Sequence, residues 1–94
     1  MIAHTILQQL GGRRFLAMTG ARNLVDCGNS LMFHIPTTKK INHVKIILTE
    51  DDLYTMRFWR IHKFDYQLIE EVNGVYCDQL REVFTEVTGL YTNL

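Results

Sequence analysis

The stretch from His43 to His62 constrains this chain more than any other. Two runs of alternating character, His43–Thr49 and Leu53–His62, flank the acidic triplet Glu50-Asp51-Asp52. Alternation at period two with a polar break is the sequence form of a β-hairpin. Side chains alternate across a strand, so Val44, Ile46 and Leu48 share one face, as do Tyr54, Met56 and Phe58 of the partner. The opposite faces carry Lys45, Ile47 and Thr49, and Thr55, Arg57, Trp59 and Ile61. One side of the hairpin is therefore core, and the other is basic and aromatic.

The elements on either side extend this hairpin into a sheet with helices. Ile2, Ile6, Leu7 and Leu10 have helical spacing, and Gly11-Gly12 stops that helix. Arg13 and Arg14 then fall near its C-terminal end, where cations favour the helix dipole. Arg14–Met18 reads as a strand, Thr19-Gly20-Ala21 as a turn, and Asn23–Cys27 as the returning strand. Gly28-Asn29 forms a two-residue hairpin turn. Leu31, Phe33 and Ile35 alternate in the next strand, which Pro36 ends because proline cannot donate to a ladder. Thr37–Asn42 reads as a polar loop. Tyr66–Val72 reads as a strand closed by Asn73-Gly74, although Leu68 and Val72 would also suit a helix.

The last element is a helix. Tyr76, Leu80, Val83, Phe84 and Val87 fall on one helical face. Gly89 ends it, with Leu90 folding back on Phe84. The fold expected is α+β: a helix, an antiparallel β-meander of about five strands and a C-terminal helix, both helices on one sheet face. The whole chain, 1–94, makes one domain, and no internal repeat is apparent.

Composition narrows the class. The hydrophobic fraction of 47% and charged fraction of 21% are those of an ordinary globular chain. The longest apolar run, Phe15–Met18, is far too short to span a bilayer, and the N-terminus lacks the pattern of a signal peptide. The expectation is a cytoplasmic protein without membrane contact, with Cys27 and Cys77 reduced and buried. Net charge is zero, but residues 1–63 hold nine Lys/Arg against four Asp/Glu, and residues 64–94 hold one against six. Mutual attachment of the two halves explains this better than a partner does, because no basic run exceeds two residues.

Three phrases carry a resemblance when read together: Phe-Leu-Ala-Met-Thr-Gly-Ala at 15–21, Asp-Leu-Tyr-Thr-Met-Arg-Phe at 52–58, and Phe-Thr-Glu-Val-Thr-Gly-Leu-Tyr at 84–91. In this order, over most of the chain, they resemble small uncharacterised proteins of bacteriophages, prophages and related mobile elements. The resemblance implies an accessory protein in a bacterial host, and brings with it no catalytic residue.

The residues themselves offer little chemistry. His4, His34, His43 and His62 form no metal-binding spacing, and the cysteines lie fifty positions apart, so no metal or other cofactor is expected. His34 and His43 read as surface polar positions that adjacent strands would bring close. No nucleophile elbow, P-loop or dinucleotide fingerprint is present, and no enzymatic activity is expected. Gly11-Gly12-Arg13-Arg14 follows a helix instead of preceding one, which removes the dipole a phosphate site uses.

Two surfaces remain. Asp78, Glu82 and Glu86 form an acidic column at helical spacing, which reads as a solvated face or a docking surface for a basic partner. Lys45, Arg57, Trp59 and Ile61 lie on the sheet face away from the helices, which an antiparallel sheet can leave open. An exposed patch of that composition marks an interface. The reading is a non-enzymatic protein acting through protein association, including self-association as a homodimer, with modulation or inhibition of a host factor implied by the resemblance. The alternative is single-stranded nucleic-acid binding on the open face, where aromatic and basic groups stack bases and neutralise phosphates. It ranks second because RNP-type motifs and overall basicity are lacking.

Overall fold

A computed structural model describes residues 2–92. The order of elements is α1 (Ile2–Leu10), α2 (Arg13–Thr19), β1 (Arg22–Asp26), β2 (Ser30–Thr38), β3 (Ile41–Leu48), β4 (Tyr54–His62), β5 (Asp65–Val75), a 3₁₀ turn (Cys77–Gln79) and α3 (Leu80–Thr88). The five strands form an antiparallel sheet in the order β1-β2-β3-β4-β5, a simple meander. Both terminal helices pack on one sheet face, where Ile6, Leu10, Leu80 and Phe84 join Leu31, Phe33, Val44, Ile46, Met56 and Phe58 in a single core. None of the described helices is long and apolar enough to cross a membrane.

The central hairpin takes the expected register. Val44 faces Phe58, Ile46 faces Met56 and Leu48 faces Tyr54. The Gly28-Asn29 turn also forms, closed by a Cys27 N–H to Ser30 carbonyl bond of 3.0 Å. Residues 66–72 are strand, within a β5 that continues through Gly74 to Val75. This edge strand has 11 residues against 9 in β4. Two register shifts along their pairing absorb the difference.

Four expectations are corrected. Arg14–Met18 is not a strand but lies in α2. Arg, Leu, Ala and Met all favour helix. The two buried positions, Phe15 and Thr19, are four residues apart, a helical and not a strand spacing. Gly11-Gly12 therefore joins two helices, and Arg13 and Arg14 sit in the first turn of α2, the end of a helix dipole less suited to cations.

Pro36 does not end β2. The strand bulges around it and resumes at Thr38, which pairs with Ile41 across a tight turn. Lys39 and Lys40 both take positive φ in that turn, 48° and 67°, the backbone of a type I′ hairpin. Opposite the bulge, the Asn42 side chain acts as a surrogate backbone: it donates to the Ile61 carbonyl and accepts from the Ile61 N–H, at 2.8 and 2.9 Å. Tyr76 precedes α3 in the extended conformation and is exposed, while Val83 and Val87 are half-buried beside the fully buried Leu80 and Phe84. Cys27 and Cys77 are free thiols but exposed, since β1 is an open edge and Cys77 starts the outer 3₁₀ turn.

The helix ends share a device. Phe-x-x-x-Thr-Gly occurs at 15–20 and again at 84–89. In each copy the threonine hydroxyl donates to the phenylalanine carbonyl at 2.7 Å. The same oxygen accepts the N–H of the residue after the glycine, at 3.2 Å from Ala21 and 3.1 Å from Leu90. Gly20 and Gly89 take the left-handed conformation that ends each helix, with φ of 73° and 79°.

Candidate functional site

The helices cover one sheet face, and the other carries rows of side chains crossing the strands, two of which lie at its centre. One row runs Met32, Lys45, Arg57, Glu71, and the next runs His34, His43, Trp59, Leu68, each pair directly opposite across neighbouring strands. Ile61 and Tyr66 form a further pair beyond Trp59. Cross-strand neighbours on one face lie within contact range of each other, so these rows act as one surface.

The register shift nearest Trp59 falls on β5, where Glu70 pairs with Phe58 and Leu68 with Trp59, leaving Ile69 unopposed. β4 therefore keeps its alternation: Phe58 is fully buried and Trp59 remains on the uncovered face.

A groove of about 390 Å³ lies on this face, lined by Met32, His34, His43, Lys45, Trp59, Ile61 and Tyr66. Its walls are mostly apolar, and no carboxylate lines it. The His34 and His43 rings meet edge to face with centroids 4.9 Å apart. His43 is only 8% exposed, so it is a covered residue and not the surface position its polarity suggests. Its Nδ1 is buried without a hydrogen-bond partner. Burial holds its pKa below the ordinary histidine value, and His34 and Lys45 push it in the same direction.

Of the residues singled out by the sequence, Lys45, Trp59 and Ile61 come together in the groove. Arg57 does not line it. Its Nε donates to Glu71 at 2.7 Å, and Asn73 joins Glu71 to Thr55 through its side-chain amide. This is the ion pair found among the described residues, so the opposite charges of the two halves are not consumed by a network of internal bridges. Met32 and Tyr66, which lie outside the central hairpin, are also part of the groove. The signal for Tyr66 lies in β5, whose bulges hide its pairing with Ile61.

Asp78, Glu82 and Glu86 are exposed on the outer side of the C-terminal segment. Arg81, Thr85 and Thr92 share their shallow depression, so the column is interrupted by a cation. A solvated helix face accounts for this arrangement. Among the described residues no group of three or more His, Cys, Asp or Glu side chains has the geometry to hold a metal ion.

No protein-family model matches the chain, and neither a curated protein nor a solved structure is detectably similar to it.

Proposed function

We propose that this chain acts without catalysis, by protein association through its uncovered sheet face. The observation that carries this reading is the apolar groove around Trp59 and Tyr66, continued on β5 by Leu68 opposite Trp59, with Tyr66 70% and Leu68 43% exposed. Large apolar side chains gathered on one surface favour a partner that removes them from water. Single-stranded nucleic acid is the weaker reading, because Arg57 already pairs with Glu71 and Lys45 is left as the cationic lysine or arginine of the groove. The resemblance to phage and mobile-element accessory proteins supports a host factor as the setting, with modulation or inhibition as the outcome.

The test compares the wild type with a Trp59→Ala/Tyr66→Ala variant in sedimentation and in capture from nuclease-treated bacterial lysate. Self-association or a captured protein that survives nuclease, and is lost in the folded variant, supports the reading. Capture that disappears with nuclease, or that the variant retains in full, overturns it.

A further inference from the structure

We propose that the groove receives an acidic segment of a partner protein, an apolar side chain flanked by a carboxylate. The inference rests on the association reading above and adds the chemistry of the partner.

Three nitrogen-bearing side chains, His34, His43 and Lys45, line the groove on the β2–β3 side together with Met32, and Trp59, Ile61 and Tyr66 supply its apolar β4–β5 side. The nearest acidic group in the same row, Glu71, is held by Arg57 and the Asn73 amide, and so does not turn to Lys45. Lys45 has no ion-pair partner among the described residues and no carboxylate lines the groove, so its charge calls for an anion from outside. A proton on His43 is disfavoured by burial and then by His34 and Lys45 beside it, and a carboxylate placed among the three would favour that proton in place of opposing it. The apolar walls require more than a bare anion. An aliphatic or aromatic side chain against Trp59 and Tyr66, with the carboxylate beside it, satisfies both sides of the site. An extended segment that carries an apolar and an acidic residue two positions apart presents both groups on one face.

Trp59 is the sole tryptophan, so its emission reports on the groove. The full chain is titrated with a short acetylated, amidated peptide of repeating Leu-Ser-Asp-Ser, which places leucine and aspartate on one face of an extended segment, with its Leu-Ser-Asn-Ser counterpart, and with oligothymidylate. Sedimentation is run alongside. The expected result is a Trp59 emission change with the aspartate peptide and affinity roughly tenfold or more above the asparagine peptide, the ratio one close charge pair supports. Lys45→Met and His34→Gln, each checked for an unchanged melting curve, should narrow that ratio. Equal binding of the two peptides overturns the acidic partner and leaves the association reading standing. Binding of neither peptide, or a self-associated form that excludes the aspartate peptide, also overturns the acidic partner, the latter making a second copy the occupant. Binding of oligothymidylate in preference to both peptides overturns the association reading itself.

Discussion

Phe15 and Phe84 meet edge-on in the core, their ring centroids 5.2 Å apart and their planes at 70°. One comes from the short helix α2 and the other from the C-terminal helix, and each stands four residues before a threonine that bonds back to its carbonyl. The contact therefore joins two copies of one helix-ending device. Phe33 of β2 completes the cluster, 5.4 Å from Phe15 and 6.2 Å from Phe84.

That contact predicts coupled energetics. Phe15→Leu and Phe84→Leu each remove the aromatic pair while retaining most of the buried volume, and each should destabilise by about 1 kcal/mol. The double variant loses the pair only once, so its cost should fall short of the sum by ~0.5–1.5 kcal/mol. Urea midpoints of the four proteins measure this, and strict additivity would show that the rings do not interact. Phe84→Ala, at about 3–5 kcal/mol, approaches the whole stability of a domain this small.

The two left-handed glycines should differ in their tolerance of a side chain. Each imposes a left-handed conformation that costs alanine roughly 1–2 kcal/mol. At Gly20 an added Cβ would also lie 3.1 Å from Pro36 Cγ, whereas at Gly89 the closest atom is Lys39 Cε at 3.4 Å. The proline ring belongs to the bulge of β2, while the lysine end can swing away. Gly20→Ala should therefore lower the melting temperature more than Gly89→Ala, and the reverse order would place the strain elsewhere.

The helical periodicity of α3 and the alternation of Val44, Ile46 and Leu48 against Tyr54, Met56 and Phe58 were legible because each pattern fits one secondary structure only. Phe15-Leu16-Ala17-Met18 fits two, since a short apolar run buries equally well as strand or helix, and the Phe15–Thr19 pair decides it only in three dimensions. The strand after Pro36 was hidden for a different reason. Beside the bulge, the Asn42 side chain bonds to Ile61, nineteen positions away, and so ties β3 to β4 in a way that no local pattern announces. The site shows the same division. Lys45, Trp59 and Ile61 follow from strand alternation alone. The loss of Arg57 to Glu71 depends on the register of a twice-bulged edge strand. The burial of His43 depends on its neighbours across two strands.

Stability should depend on pH through His43. Its folded pKa is depressed below the ordinary histidine value of 6.5, chiefly by burial and then by His34 and Lys45. The unfolded chain therefore binds the proton more readily than the folded one. Well above pH 6.5 both states hold a neutral imidazole, and this residue contributes no pH dependence. As pH falls from there toward the folded pKa, the unfolded state gains protons first and stability declines; below the folded pKa the decline from this residue is complete. Urea denaturation at a series of pH values should show that slope, and His43→Gln should flatten it. A slope unchanged by the substitution would assign the effect to other groups.

The final prediction separates the two residues of the open face that carry the largest side chains. Arg57 and Trp59 lie two positions apart on β4 and point to the same side, yet their roles should differ. Arg57 is bonded across the sheet to Glu71, and both side chains are partly solvated, 40% and 34% exposed. A pair of that kind contributes about 0–1 kcal/mol to stability, and its charge is already balanced. Trp59 instead lines the groove between His43 and Ile61, where an aromatic anchor contributes about 2 kcal/mol or more to an interface. Trp59→Ala should therefore weaken association by roughly thirtyfold with the fold retained. Arg57→Ala should leave association within a factor of a few, and its small effect should appear as a shift in melting temperature. Sedimentation and partner-capture titrations of the two single variants, with thermal melts of each, make the comparison. Equal losses of binding from both would mean that the Arg57–Glu71 pair opens to meet the partner and that the interface extends across the charged row as well as the aromatic one.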